Sequence, residues 1–89
     1  MAVRRSPNVI HEVVDERAML VSPDGSELIS LNAVGTLVWE LLADGAEARD
    51  LATHLSPRFE DVTVDVLEKD IRAFLVSLHE QGLVQETDA

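Results

Sequence analysis

The sequence has no cysteine, and its 89 residues include only three aromatic rings and seven basic side chains. The absence of cysteine excludes a disulfide-bonded scaffold, a thiolate metal site and a thiol nucleophile. The seven basic residues are outnumbered by seventeen acidic ones, which gives a formal net charge of −10. This balance argues against nucleic-acid binding, because contacts to phosphates require clustered lysine and arginine.

Long apolar runs are also missing, and none approaches the length of a membrane span. The basic pair Arg4-Arg5 is not followed by the apolar segment of a secretion signal. Apolar residues still make up 46 % of the chain, which is too many for a disordered acidic protein. We therefore expect one cytoplasmic domain over residues 1–89, with flexible ends at residues 1–7 and 85–89.

Motifs for catalysis and for cofactor binding are absent from the sequence as well. His11, His54 and His79 do not have the spacing of metal ligands, and no serine lies in a Gly-x-Ser-x-Gly elbow. No glycine-rich loop that could bind a phosphate occurs. We therefore expect a protein that is not an enzyme and has neither a metal site nor a cofactor.

Residues 8–31 have the pattern of strands. Two short runs rich in β-branched or apolar residues come first, and a turn follows at Ser22-Pro23-Asp24-Gly25, where each residue type favours the turn for its own reason. Residues 26–31 then alternate between two faces, as a third strand does. The pattern predicts a three-stranded antiparallel meander whose third strand has an open outer edge.

From Asn32 onward the apolar spacing becomes helical. Asn32 is a suitable N-cap for a first helix, which ends at Gly45. A second, short helix is predicted at about Ala46 to Leu55. Thr63 caps a third and longest helix, which ends at Gly82. The fold class is therefore α+β, with a three-stranded antiparallel sheet followed by three helices.

The third helix has two apolar faces on a helical wheel. The core face contains Val64, Leu67, Ile71, Phe74, Leu75 and Leu78. The second stripe is made of smaller residues: Val62, Val66, Asp70, Ala73, Val76 and Ser77. This stripe either packs against the sheet and widens the buried face, or forms one wall of a groove whose other wall is the open strand edge. A peptide entering such a groove would extend the sheet by β-augmentation.

The groove hypothesis defines a set of candidate peptide-binding residues. They are Glu27, Leu28, Ile29, Ser30 and Leu31 on the strand, and Val66, Asp70, Ala73 and Ser77 on the helix. Asp70 is either a binding group for the peptide or a solvated charge. Trp39 is expected to pack in the core rather than contact a peptide, with Gly35 leaving room for its ring.

Two segments resemble the PqqD-like proteins. Residues 31–39, Leu-Asn-Ala-Val-Gly-Thr-Leu-Val-Trp, resemble the LN-x-x-G-x-x-x-W signature of that family, and residues 70–78 with Gly82-Leu83 resemble its D-V-x-x-F-L-x-x-L ending. These proteins are recognition elements for precursor peptides in ribosomal peptide biosynthesis. The resemblance implies a winged-helix-like fold that binds a leader peptide as an added strand between the third strand and third helix. Tyrosines that the family often has before the LN motif are absent here.

The resemblance implies a leader peptide and a maturation enzyme as partners, with no nucleic acid and no membrane. The closest branch is the stand-alone leader-binding subunit of lasso-peptide systems, which would deliver its precursor to a leader protease. The alternative is a chaperone that presents a precursor to a radical SAM enzyme in pyrroloquinoline quinone biosynthesis. A small winged-helix DNA-binding protein is an alternative of another class. An acyl-carrier protein is not favoured, because no Asp-Ser pair occurs.

Overall fold

A computed structural model describes residues 2–87 of the protein. The first sheet is an antiparallel meander. The strands of the described chain are, in order, β1 (Ala2–Arg5), β2 (Ile10–Val14), β3 (Arg17–Val21), β4 (Leu28–Ser30), β5 (Ala46–Glu47) and β6 (Val84–Thr87). The meander has the order β2-β3-β4. Asp15 and Glu16 join β2 to β3 with φ values of 52° and 66°, the left-handed conformations of a tight hairpin turn. The predicted three-stranded meander is confirmed.

The turn between β3 and β4 is held together by one carboxylate. Asp24 Oδ1 accepts hydrogen bonds from Ser26 Oγ at 2.7 Å, from Ser26 N at 2.9 Å and from Ser22 Oγ at 2.7 Å. The hydrogen bonds from Ser26, followed by that from Ser22, lower the pKa of Asp24 to about 2 because they stabilise the ionised form. Gly25 has a φ of 75°, so the predicted turn at residues 22–25 is confirmed.

A second sheet joins the two ends of the described chain. Its order is β5-β1-β6, and β1 pairs along its whole length with β6, from Ala2 opposite Thr87 to Arg5 opposite Val84. This corrects the expectation of flexible ends, apart from residues 1, 88 and 89, which lie outside the described residues. The strands were missed because each has four residues at most and their partners are remote in sequence.

Three helices cover the sheets, and the predicted caps of two of them are confirmed. The helices are α1 (Ala33–Leu41), α2 (Ala48–Leu55) and α3 (Val64–Glu80), with a 3₁₀ turn at Ser56–Arg58. The Asn32 side chain accepts a hydrogen bond from Gly35 N at 2.8 Å, and Thr63 Oγ1 accepts one from Val66 N at 3.2 Å. The second helix begins at Ala48 rather than Ala46, because residues 46–47 pair with β1 as a strand.

Trp39 is buried in the core, with 1 % of its surface exposed. The Arg5 guanidinium lies 5.2 Å from the centre of the indole ring, and Arg5 Nε donates a hydrogen bond to Trp39 O at 2.8 Å. The His11 ring meets the indole edge-on at 5.7 Å. Trp39 therefore packs against residues of both sheets, as expected for a core residue. Gly35, however, leaves room for Phe74 rather than for Trp39.

Candidate functional site

The outer edge of β4 is unpaired within the described part of the chain. Ser22 N donates to Glu27 O at 3.0 Å, and Leu31 N donates to Ala18 O at 2.9 Å, so residues 27 and 31 bond towards β3. Backbone direction alternates along an antiparallel strand. The peptide groups of Leu28 and Ser30 therefore point away from β3, towards the open edge. This edge offers donors and acceptors at alternate residues, which is the pattern that an added strand requires.

The second stripe of α3 is exposed and does not form part of the core. Val66 is 51 % exposed, and Asp70, Ala73 and Ser77 are exposed as well. The opposite face of α3 buries Leu67, Ile71, Leu75 and Leu78. The interpretation that the stripe widens the buried face is therefore wrong for these four exposed residues. Val62 is partly buried against the core, and Val76 lines a separate cavity with Arg49 and Arg72 on the side of α2.

Strand β4 and helix α3 run in opposite directions along the two sides of a groove. Ser30, at the end of β4, shares a cavity with Asp70 in the first half of α3. Glu27, just before β4, shares another cavity with Glu80 at the end of α3. Pro23 Cγ also lies 3.9 Å from the position that a Cβ would take on Gly82. The strand edge and the exposed stripe of α3 thus face a common opening with a cavity at each end.

The first cavity, which we call the Phe74 cavity, has a volume of about 460 Å³. It lies where the end of β4, the start of α1 and the first half of α3 meet. Its lining consists of Ser30, Leu31, Asn32, Val34, Gly35, Val38, Phe59, Val62, Leu67, Asp70, Ile71 and Phe74. Most of these residues are apolar, and Asp70 is its charged residue, so the cavity suits an apolar side chain with a polar or cationic end.

The second cavity, which we call the turn cavity, has a volume of about 470 Å³. It lies between the β3–β4 turn and the end of α3. Its lining consists of Ser22, Pro23, Asp24, Ser26, Glu27, Glu80, Gln81 and Gly82. Among residues 2–87, no lysine or arginine contributes to the lining of either cavity. The groove is therefore apolar at one end and acidic at the other.

The predicted site residues fall into three groups in the structure. Ser30, Leu31 and Asp70 meet in the Phe74 cavity, and Glu27 lies in the turn cavity. Val66, Ala73 and Ser77 are exposed on the groove side of α3 without lining either cavity. On β4, the Leu28 side chain is 67 % exposed on the outer face of the sheet, whereas Ile29 packs against the core. Leu28 can therefore serve a groove ligand through its backbone atoms, whereas the Ile29 backbone faces β3 and its side chain faces the core.

Several residues of the Phe74 cavity were not among the predicted site residues. Phe59 and Val62 come from the segment between α2 and α3, and Asn32, Val34 and Gly35 come from the start of α1. The signal that could have found them is Gly35, a glycine inside a predicted helix, which often marks a close approach. Its contact with Phe74 across the helices was not readable from the sequence.

Metal-binding clusters and membrane-spanning helices are absent from the described residues. No group of three or more histidine, cysteine or acidic side chains is arranged to hold a metal ion within residues 2–87. Over the same residues, no helix is both long enough and apolar enough to cross a membrane.

Comparison with known proteins gives one family and two related structures. The family model described as coenzyme PQQ synthesis protein D (PqqD) matches residues 17–84. The solved structure of a lasso peptide synthetase B1 complexed with the leader peptide is 28 % identical, with a TM-score of 0.81 over 94 % of this chain and 98 % of that chain. The structure of TbiB1 in complex with the TbiA(beta) leader peptide has the same fold, with a TM-score of 0.83, 23 % identity and coverage of 97 % and 99 %. No curated protein gives a significant match.

Proposed function

The chain belongs to the PqqD family, and we propose that it binds the leader segment of a ribosomally made precursor peptide as a single, non-catalytic recognition domain. The observation that carries the proposal is the unpaired edge of β4 beside the exposed stripe of α3. The solved structure of lasso peptide synthetase B1 is complexed with the leader peptide, and its sequence is 28 % identical to this chain. A leader peptide can add to an open strand edge through backbone hydrogen bonds.

Binding in this proposal occurs by strand addition. The leader would pair with the outward peptide groups of Leu28 and Ser30, and each hydrogen bond would contribute about 1 kcal/mol net. Side chains of the leader would lie over Val66, Ala73 and Ser77 on α3, and one would enter the Phe74 cavity beside Asp70. The backbone pairing supplies affinity with little sequence demand, whereas the cavity and the stripe supply selectivity.

The biological result of binding is recruitment rather than chemistry. A disordered leader becomes ordered when it joins the sheet, which uses part of the interaction energy and keeps the complex reversible. We propose that the bound precursor is then delivered in the cytoplasm to a maturation enzyme, the leader protease of a lasso-peptide system. The 28 % identity to a lasso peptide synthetase B1 over almost the whole chain supports this branch.

A second candidate follows from the description of the family model, coenzyme PQQ synthesis protein D. In that branch the chain would present a precursor to a radical SAM enzyme in pyrroloquinoline quinone biosynthesis. The neighbouring genes distinguish the two candidates: a leader protease and a cyclase indicate the lasso branch, and a radical enzyme indicates the other. The DNA-binding alternative has little support, because the exposed carboxylates of Asp70 and Glu80 on α3 would repel phosphates.

Fluorescence polarisation with the labelled leader of the precursor encoded beside the gene tests the proposal. Ala73→Arg places a long charged side chain in the groove, and we expect it to weaken leader binding at least tenfold while the fold is retained. Ala43→Arg is the matched control, because Ala43 is exposed just after α1 and lies in neither cavity of the groove. Equal affinities of the two variants and the unchanged chain would show that the ligand binds elsewhere.

A further inference from the structure

The two sides of α3 differ in how their carboxylates are neutralised. On the side of α2, Arg49 Nη1 lies 2.8 Å from Asp65 Oδ1 and 3.0 Å from Glu68 Oε1, and Arg72 forms a second ion pair with Glu68. The hydrogen bond from Arg49 is the main reason why the pKa of Glu68 is lowered. The acidic residues on this side of α3 are thus satisfied within the protein.

On the groove side, the carboxylates have no such partners. Among the described residues, the side chains of Asp70, Glu27 and Glu80 form no hydrogen bond or ion pair, and no basic residue lines either cavity. Asp70 stands at the apolar end of the groove, and Glu27 faces Glu80 at the other end. The groove that offers an open strand edge therefore also leaves these three carboxylates without a partner among the described residues, and Asp24 of the turn cavity is bonded only by uncharged donors.

We propose that this groove selects cationic peptide segments, with one lysine or arginine opposite Asp70 and a second one between Glu27 and Glu80. The inference rests on the proposed function, because it concerns the peptide that adds to β4. A basic side chain at each end would offset part of the negative charge of the groove while its aliphatic stem covers apolar surface. An acidic peptide would instead bring like charges together, which is how a binding site excludes a wrong partner.

The geometry also limits the spacing of the two basic residues. Glu27 and Ser30 are three residues apart, which corresponds to about 10 Å along an extended strand. Asp70 and Glu80 are ten residues apart on a helix, which corresponds to about 15 Å. An extended peptide advances about 3.3 Å per residue. The two basic residues should therefore be separated by about three to five positions in the peptide.

A phage-displayed library of random 16-residue peptides, selected on three forms of the full chain at low salt, tests the inference. The first form is unchanged, and the second carries Glu27→Gln, Asp70→Asn and Glu80→Gln. The third carries Glu12→Gln, Glu16→Gln and Glu86→Gln, which remove the same number of charges from exposed positions outside both cavities. The third form therefore controls for general attraction of cations to an acidic protein.

We expect peptides with two basic residues at the stated spacing to be enriched on the first and third forms but not on the second. In the enriched peptides, replacing one basic residue with glutamine should weaken binding about two- to fivefold, and this effect should disappear when its partner carboxylate is neutralised. Two outcomes would overturn the inference and leave the proposed function intact. In the first, the peptides that bind the groove lack these basic residues. In the second, selection on the second form enriches peptides with the same basic residues. If no enriched peptide is sensitive to Ala73→Arg, the proposed function fails and the inference fails with it.

Discussion

Gly35 and Phe74 approach each other so closely that a Cβ on Gly35 would lie 3.2 Å from Phe74 Cζ. The same Cβ would lie 3.2 Å from Asn32 Oδ1, the atom that caps α1. Gly35 and Phe74 both line the Phe74 cavity. The missing side chain at position 35 thus allows α1 and α3 to meet and keeps the ring of Phe74 at the wall of the cavity.

Gly35→Ala is expected to destabilise the protein, although alanine is the better helix former. Helix propensity favours alanine by about 1 kcal/mol. Overpacking in a closely packed region costs about 1–3 kcal/mol, and a weakened cap adds about 0.5–2 kcal/mol. We expect a net loss of about 1 kcal/mol in the free energy of unfolding, measured by urea denaturation.

The double variant Gly35→Ala with Phe74→Leu separates steric crowding from other effects. A smaller side chain at position 74 relieves the contact, so the penalty of Gly35→Ala should be smaller in the Phe74→Leu background than in the original chain. Equal penalties in both backgrounds would mean that the contact between the two residues does not determine the cost.

The helices and the meander could be predicted because their signals are local. Asn32 and Thr63 each precede a segment with helical apolar spacing, and each caps its helix as predicted. Residues 22–25 form the turn that their residue types favour. The exposed stripe on α3 was also visible as an unusual run of small residues. These features depend on neighbours within a few positions of the chain, which is the range over which sequence patterns are informative.

The second sheet and the cavity could not be predicted, because they depend on contacts between distant residues. Val3 and Val84 are buried in strands β1 and β6, which pair across almost the whole length of the chain. Four-residue strands with polar neighbours carry no periodicity that would reveal this pairing. In the same way, the glycine at position 35 indicated a close approach, but its contact with Phe74 rather than Trp39 depends on how α1 and α3 pack.

Val3→Ala tests whether the paired ends stabilise the domain. Val3 has no exposed surface, so removing its two methyl groups should lower the free energy of unfolding by about 2 kcal/mol. Val13→Ala is the matched control, because Val13 is also in a strand but is 47 % exposed, and its change should be below about 0.5 kcal/mol. Urea denaturation measures the free energy of unfolding of both variants. If both lose a similarly small amount of free energy, β1 contributes little to stability.

The lowered pKa of Asp24 predicts that part of the stability of the protein depends on pH. Its pKa in the folded protein is about 2, below the ordinary value of 3.8, so the unfolded state takes up its proton first as the pH falls. The stabilisation by the ionised Asp24 is complete above about pH 5 and is lost as the pH falls from about 4 to about 2. The difference in stability between the unchanged chain and Asp24→Asn should therefore shrink over this range.

Thermal unfolding of both proteins between pH 2.5 and pH 6 measures that difference. Other carboxylates titrate in the same range, but they are common to both proteins and largely cancel in the comparison. A carbon-13 NMR titration of the Asp24 carboxyl group gives an independent check. A midpoint near 4 would show that the hydrogen bonds from Ser22 and Ser26 do not hold the carboxylate in solution.

Leu28→Pro is the sharpest test of strand addition. The peptide N–H of Leu28 points to the open edge and not to β3, so proline at this position removes no hydrogen bond within the sheet. It does remove a donor that the added strand would need. We expect the variant to fold and to bind the leader about fivefold to tenfold more weakly, the loss that corresponds to one backbone hydrogen bond of about 1–1.4 kcal/mol.

Leu28→Ala is the matched control, because it removes the exposed side chain and keeps the N–H group. Its leader affinity should stay within about twofold of the unchanged chain, since the Leu28 side chain lies on the outer face of the sheet. Fluorescence polarisation measures both affinities, and circular dichroism confirms that both variants are folded. If alanine weakens binding as much as proline does, the leader contacts the face of the sheet rather than its edge, and the strand-addition geometry is wrong.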